Sequence, residues 1–188
     1  MPTVISHPAV PVAIAMLGGT QKVSGRLLLA AAVASVLPDL DAIGFHLGIP
    51  YGSVMGHRGF THSIVFALLI GLLGIPLASR LQTHRITAFL VLFISASSHG
   101  LLDALTNGGL GIAFFSPFSN QRFFFPWHPI MVAPLSVGPF LSRYGWKVLQ
   151  SEFVWVWLPA LAIGSIGLLC RKMFAHLSEK VKAGRITA

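Results

Sequence analysis

Long apolar runs separated by short polar stretches dominate the chain. A helix needs about 20 mostly apolar residues to cross a bilayer, within a range of about 17 to 25. Three runs reach that length, and two runs of 11 or 12 residues fit either short membrane helices or interfacial ones. The long runs are 63–79, 86–102 and 153–170, and the short runs are 8–19 and 27–37. This pattern predicts an all-α integral membrane bundle with about five membrane segments.

Composition narrows the class of protein further. Apolar residues make up 54% of the 188 positions and charged residues only 10%, against about 25% in soluble domains. The mean hydropathy is +0.77, which argues against both a soluble and a disordered chain. The single cysteine, Cys170, excludes an internal disulfide. We therefore expect one membrane-embedded domain over 1–175 and a basic cytoplasmic tail over 176–188.

The positive charges predict an orientation. The net charge is +8, and the bilayer explains it better than nucleic acid does, because the cations flank apolar segments instead of lining a soluble fold. Lys and Arg accumulate in cytoplasmic loops, which predicts an outside amino terminus and a cytoplasmic carboxyl terminus. Since the first cation is Lys22, no cleaved signal peptide is expected. The nine cations assigned to the cytoplasmic side are Lys22, Arg26, Arg80, Arg85, Arg171, Lys172, Lys180, Lys182 and Arg185.

The same topology places the chemically versatile residues at one membrane face. Carboxylates at bilayer depth are costly and usually face a partner or a water-filled cavity. Neutral imidazoles are common metal ligands. We therefore predict a metal site between helix ends at the outer face. The candidate ligands are His7, Asp39, Asp41, His57, His62, His99 and Asp103.

Two acidic elements carry most of this hypothesis. His99 and Asp103 are four residues apart, which puts both on one helix face, about 5–6 Å apart at Cβ. They could bind one metal or two adjacent metals, or simply hydrogen-bond to each other. Asp39 and Asp41 are two apart, so a regular helix would point them apart, but a kink at Pro38 could aim both into one pocket. Asp41 is favoured as a direct ligand, while Asp39 could be a ligand, an orienting group, a catalytic base or a helix cap.

The densest polar cluster, residues 56–63, lies just before a long apolar run. His57 and His62 are candidate ligands there, and Arg58 could hold a phosphate through two parallel hydrogen bonds. The alternative is an interfacial loop whose side chains contact lipid headgroups. Four other histidines lack an acidic neighbour at ligand spacing and are left out: His46, His84, His128 and His176.

The ligand types indicate the metal and the reaction. Mixed imidazole and carboxylate ligands favour zinc, with manganese or iron as alternatives, and the set is large enough for one to three ions. A bound zinc makes hydroxide available near neutral pH, which predicts hydrolysis by metal-activated water. Arg58 would hold the substrate, and Asp39 is a candidate base.

The order of these elements resembles a known family. The segments that carry the resemblance are His7, 38–41, 57–63, the His-x-x-x-Asp element at 99–103, and 117–119. Together they resemble the YdjM-like family of bacterial inner-membrane, metal-dependent hydrolases over roughly residues 1–170. That family is in turn thought distantly similar to zinc phospholipase C and P1-type nuclease. The resemblance implies an inner-membrane location and a phosphoester or membrane phospholipid substrate.

Two other functions use the same residues. A metal or proton transporter could relay ions through the His and Asp side chains, although no internal repeat is visible. A non-enzymatic membrane scaffold could use them only to pair helices.

Overall fold

The computed structural model describes residues 1–134 and 136–186, and the regular structure within those ranges is helical, with no strand. The all-α prediction is confirmed. A 3₁₀ helix, Leu37–Phe45, continues α2, a second 3₁₀ turn spans Phe60–His62, and a π-helical turn, Phe153–Trp157, joins α6 to α7. The α-helices are α1 Ala9–Gly18, α2 Gly25–Val36, α3 Ile64–Leu77, α4 Arg85–Ala104, α5 Val137–Phe140, α6 Arg143–Glu152 and α7 Leu158–Ile186.

The apolar runs and the helices agree in position but differ in length. The helical stretches long and apolar enough to cross a membrane are Gly25–Phe45, Arg85–Ala104 and Arg143–Lys180. The short run 27–37 therefore belongs to a 21-residue stretch, because Pro38 is tolerated in the first turn of the 3₁₀ helix. The run 63–79 forms only the 14-residue α3, about 21 Å long at 1.5 Å per residue. Its Pro76 lies one residue before the helix end.

Helices α3 and α4 form the tightest pair and lie next to the site. They run antiparallel through a short connection, and α2 packs on α4 while α1 packs on α7. A Cβ at Gly71 would lie 2.9 Å from Phe93 Cβ, and one at Gly74 would lie 2.9 Å from Leu92 Cδ1. Small residues allow this close approach of helices in membranes. The pairing holds the carboxyl end of α4 beside the amino end of α3.

Large apolar side chains are exposed in this protein and several polar ones are buried, the reverse of a soluble domain. Large apolar residues such as Leu29, Ile86 and Leu169 are 65–74% exposed. The fully buried side chains include His7, His99 and Asp103. Apolar surface of this extent suits a bilayer, and the polar interior marks where chemistry is possible.

The remaining chain closes one end of the bundle. The segment between α4 and α6 folds back over the 3₁₀ turn, where Ala113 N–H donates to Arg58 O at 3.1 Å and Ile64 N–H donates to Phe114 O at 3.0 Å. At the other end of the chain, α7 continues through Ile186. The predicted tail is thus helical up to that residue, and residues 187–188 lie outside the described ranges.

Candidate metal centre

All seven predicted ligands converge at one end of the bundle. They come from the segment before α1, the 3₁₀ helix after α2, the loop before α3, and the last turns of α4. Five of them form what we call the central cluster: His7, Asp39, His62, His99 and Asp103. Asp41 and His57 lie beside it and are called the flanking pair. The four excluded histidines, His46, His84, His128 and His176, are exposed.

The 3₁₀ geometry explains how Asp39 and Asp41 serve one site. A 3₁₀ helix has three residues per turn, so successive side chains are about 120° apart around its axis. Leu40 therefore points one way, and the side chains of Asp39 and Asp41 both point away from it. Leu40 is 60% exposed, and both carboxylates are largely buried. A regular α-helix would have separated them more widely. The 3₁₀ helix that begins at Leu37 therefore supplies two site residues from adjacent faces.

Two histidines point their Nε2 atoms at the centre of the cluster. His99 Nδ1 lies 2.7 Å from Ser35 O, and because a carbonyl only accepts, Nδ1 carries the proton. His62 Nδ1 lies 3.1 Å from Asp41 Oδ2, which in the same way favours a proton on Nδ1. The two Nε2 atoms are 3.0 Å apart. With both Nδ1 atoms protonated, their lone pairs face each other, and only a cation between them, a proton or a metal ion, makes this approach favourable.

Two buried carboxylates next to these nitrogens are unsatisfied. No oxygen of Asp39 or Asp103 makes a hydrogen bond within the described chain, and neither does either ring nitrogen of His7. Asp39 Oδ1 lies 3.3 Å from His99 Nε2, and Asp103 Oδ2 lies 3.6 Å from His62 Nε2. A buried carboxylate without partners is costly. These atoms form the open ligand set of the site.

His7 completes the cluster from the amino-terminal segment. Its Nε2 lies 3.8 Å from both Asp39 Oδ2 and Asp103 Oδ1. Its ring stacks on His99 with centroids 3.8 Å apart and an interplanar angle of 14°. Burial lowers the pKa of His7 to about 3, so its imidazole is neutral and able to bind a metal.

Asp41 and His57, the flanking pair, already have hydrogen-bond partners within the protein. Asp41 accepts from Thr61 Oγ1 at 2.5 Å and from Arg58 N–H at 3.2 Å. Its Oδ1 lies 2.6 Å from His57 Nδ1. A carboxylate that holds the far nitrogen of a metal-binding histidine fixes the tautomer and the ring orientation. Asp41 stands in that relation to His62.

The electric field of the three carboxylates acts directly on His62. Burial of its imidazole opposes the charged form, but contacts with the carboxylates of Asp103, Asp39 and Asp41 outweigh burial and raise the pKa of His62 to about 10. Counting side chains alone, three carboxylates and the Arg58 guanidinium leave two negative charges when the imidazoles are neutral. One divalent cation would balance them.

Arg58 lies behind Asp103. It is 1% exposed, with Nε 3.2 Å from Asp103 Oδ2, and it donates to Gly108 O at 2.7 Å and to Thr106 Oγ1 at 3.1 Å. A Cβ on Gly109 would lie 2.5 Å from Arg58 Nη1, so only glycine leaves room for the guanidinium there. The guanidinium therefore contacts the carboxylate of Asp103. That Arg58 also binds a substrate phosphate stays a prediction.

Sequence reasoning missed Glu152. It ends α6, is 1% exposed, and accepts from Thr3 N–H at 2.6 Å, Thr3 Oγ1 at 2.5 Å and Ser6 Oγ at 2.6 Å. These bonds tie down the segment that carries His7. The available signal was an acid directly next to a long apolar run.

The donor set fits a transition-metal ion. One ligand atom from each of Asp39, His62, His99 and Asp103 lies within 4.8 Å of the others, and the same holds for Asp41, His57 and His62. Ligand atoms of a tetrahedral zinc, with bonds of about 2.0–2.1 Å, are about 3.3 Å apart. The first group fits better, because its carboxylate oxygens lack partners while those of Asp41 are engaged.

Two clefts border residues of the central cluster. One, of about 240 Å³, is lined by His62 together with residues of α3, α4 and the loop at Phe114. The other, of about 430 Å³, is lined by Asp39 together with the amino-terminal segment, Ala133, Pro134 and Phe140. The clefts border residues of the cluster, while the ligand atoms themselves are buried.

A helical bundle with apolar outer surfaces and a buried His/Asp site defines a membrane protein with a candidate metal centre. A family-level sequence profile described as "YdjM inner membrane protein" matches residues 1–175. The chain is also 44% identical over 164 residues to "Inner membrane protein YbcI" of Escherichia coli strain K12, which covers 87% of this chain and 95% of that protein. No solved structure gives a significant match. The chain belongs to the YdjM family of inner membrane proteins.

Proposed function

We propose that this protein is a membrane-bound, metal-dependent hydrolase that cleaves a phosphoester, such as that of a phospholipid. The observation that carries the proposal is the pair of Nε2 atoms of His62 and His99, which are 3.0 Å apart. Beside them lie the carboxylates of Asp39 and Asp103, whose oxygens make no hydrogen bond within the described chain. Mixed imidazole and carboxylate ligands favour zinc, with manganese or iron as alternatives.

The residues divide into those that hold the ion and those that position them. His62, His99, Asp39 and Asp103 would hold one ion, with His7 facing the second oxygens of both carboxylates. The bound ion would supply a water of lowered pKa and polarise a phosphoryl oxygen. A second or third ion would recruit the flanking pair, which shares His62 with the central group.

Asp39 is the best-placed residue to move a proton. It is the one acid of the central cluster that lines the cleft at the amino-terminal segment. A base must lie within hydrogen-bond reach of the water it deprotonates. Arg58 steadies Asp103, and Asp41 steadies His62 and His57.

The test combines metal content with turnover. Detergent-purified protein is analysed for bound metals, then assayed for product release from a long-chain phospholipid and from a short, water-soluble phosphodiester. We expect bound metal and metal-dependent turnover, both lost in His99→Ala. His46→Ala is the matched control, because His46 is exposed. Metal-free protein, or equal turnover by His99→Ala and wild type, would overturn the proposal.

The proposal places the site at the outer face of the inner membrane, with the amino terminus outside. This orientation rests on the distribution of Lys and Arg between the membrane segments. A periplasmic reporter fused after Gly108 should be active. An inactive reporter there, with activity after Thr83, would reverse the orientation.

A further inference from the structure

We propose that two loops at the end of the bundle that carries the candidate metal centre, the site end, lie in the membrane interface and contact the lipids of the adjacent leaflet. The first loop spans residues 46–56, and the second loop spans residues 113–127. Their partner is therefore a phospholipid surface. This lipid contact goes beyond the proposed function and would hold or fail independently of any hydrolase activity.

Both loops expose large apolar side chains. Phe118 is 86% exposed and Leu47 is 72% exposed, which is comparable with the 74% of Ile86 on α4. Large exposed apolar patches are rare on soluble proteins and mark a surface that contacts a membrane or a partner. The other large apolar residues of the two loops that are more than a third exposed are Val54, Met55, Phe115, Phe124, Phe125 and Trp127.

The second loop adjoins the apolar surface of the helices at both of its ends. Near its beginning, Phe114 lines a cleft together with Ile64 of α3. At its end, Trp127 packs edge-on against Trp155, with ring centroids 4.8 Å apart. Trp155 belongs to the stretch Arg143–Lys180, which is long and apolar enough to cross a membrane. Lipid that surrounds these helices therefore meets the loop at both ends.

The charge within the two loops is bound by the protein itself. Arg122 is the only Lys, Arg, Asp or Glu that they contain. Its guanidinium donates to Tyr51 O at 3.0 Å, to Ser53 O at 3.2 Å and to His57 O at 3.0 Å. These bonds hold the second loop on the first, so the two loops form one surface. An aromatic surface whose single cation is bound by backbone carbonyls suits lipid, because an unpaired charge is costly there.

The opposite end of the bundle has connections of a different kind. The connection between α3 and α4 exposes Arg80, the connection between α1 and α2 exposes Lys22, and Arg85 is exposed at the start of α4. At the site end, the exposed cations Arg143 and Lys147 lie on α6 and outside both loops. Charged connections suit water and headgroups, whereas exposed aromatic residues are typical of the membrane interface.

The irregular backbone of the loops limits how deep they can lie. Irregular segments that face lipid do not occur within the hydrocarbon core, because their backbone groups would lack partners there. The second loop meets part of this need itself, since Ile112 and Phe123 exchange two backbone hydrogen bonds of 2.9 Å. We therefore place both loops at headgroup level, with Phe118 reaching toward the acyl chains.

The test measures the depth of spin labels on the full-length protein in phospholipid vesicles. Cys170→Ala removes the single cysteine, and Phe118→Cys, Leu47→Cys or His84→Cys then adds one labelling site. His84 is the matched control, because it is exposed in the connection at the opposite end and its side chain caps no helix. The readout is the ratio of collisions with oxygen, which concentrates in lipid, to collisions with a water-soluble nickel chelate. We expect this ratio to be about threefold higher at positions 118 and 47 than at position 84.

Two results would overturn the lipid contact. Equal ratios at the three positions would mean that the loops face water. Labels shielded from both oxygen and the chelate would mean that a second copy or another protein covers the loops. The wild type gives a second readout, since a phospholipid with a photoreactive group near its glycerol should cross-link to the peptide that contains Phe118. No cross-link to that peptide would contradict the proposal as well.

Discussion

Glu152 and Asp103 are both fully buried carboxylates, and their surroundings differ in kind. Glu152 accepts three hydrogen bonds from Thr3 and Ser6, at 2.5–2.6 Å. Asp103 and its neighbour Asp39 accept none within the described chain, and the nearest cation to Asp103 is Arg58 Nε at 3.2 Å. One region meets the cost of burying an acid with three hydrogen bonds from the protein. The other meets it only with the Arg58 guanidinium and neighbouring imidazoles, without a hydrogen bond to either acid in the described chain.

This difference distinguishes a structural acid from a ligand better than burial does. A buried acid is stable when its lone pairs are engaged, and Glu152 meets that condition by anchoring the amino-terminal segment. Several adjacent acids whose oxygens make no hydrogen bond within the described chain form a group that could hold a metal ion. The contrast predicts that changes in the central cluster affect bound metal, while changes at Glu152 affect folding.

The largest effect on the metal is expected from Asp103→Ala. The substitution removes two of the four open carboxylate oxygens and leaves Arg58 as an unbalanced charge. We expect loss of at least one equivalent of bound metal per chain, measured by elemental analysis of purified protein. Glu152→Gln is the control and should keep its metal. Full metal content in a folded Asp103→Ala variant would show that Asp103 is no more important for metal binding than Glu152.

Metal removal should destabilise the wild type next most strongly. A ligand at 100 times its dissociation constant stabilises the folded state by about 2.7 kcal/mol, so a chelator should lower the free energy of unfolding by about that amount. Asp39→Asn lacks one central charge and should respond less. Thermal unfolding in detergent, with and without chelator, measures both. An equal shift in the two proteins would mean that the chelator acts elsewhere.

Asp41→Asn should have an intermediate effect, because Asp41 holds His62 from behind. Loss of an outer-shell partner typically weakens metal binding about 10–100-fold. We expect the same stoichiometry at saturating metal and a weaker affinity, measured by competition with a chelating dye. Thr61→Ala removes only one hydroxyl contact to the same carboxylate and should weaken binding less. Complete loss of metal in Asp41→Asn would make Asp41 a direct ligand.

Glu152→Gln should have the smallest effect on the metal and a clear effect on stability. Its amide would place a donor against the donors of Thr3 or Ser6, and a buried group left unpaired costs about 1–3 kcal/mol. Unfolding measurements on metal-loaded protein should show a loss of that size. Unchanged stability would mean that the three hydrogen bonds contribute little to holding the amino-terminal segment.

The candidate site residues could be picked out from sequence because His and Asp contrast with the apolar segments around them. A few His and Asp residues at the ends of apolar runs are conspicuous, and their convergence followed from alternating helix directions. The lengths of individual helices were harder to predict. Whether Pro38 ends a helix or starts a 3₁₀ turn depends on packing that hydropathy does not encode.

The roles within the site depended on distant contacts. Ser35 O sets the tautomer of His99 from 64 positions away, and Arg58 turns toward Gly108 and Thr106 from about 50 positions away. The sequence around Ser35, Thr106 and Gly108 shows no pattern that marks these residues as partners of the site. The division into a central cluster and a flanking pair could therefore not be predicted.

The sequence by itself determined that this chain is a helical membrane protein and which imidazoles and carboxylates are available, because hydrophobicity and residue type are local properties. Only the tertiary structure decided which acids are satisfied. Glu152 finds its donors 149 and 146 positions away, while Asp39 and Asp103 find none in the described chain. Hydrogen bonding depends on three-dimensional neighbours, and it separates the acid that anchors the amino-terminal segment from those that could hold a metal ion.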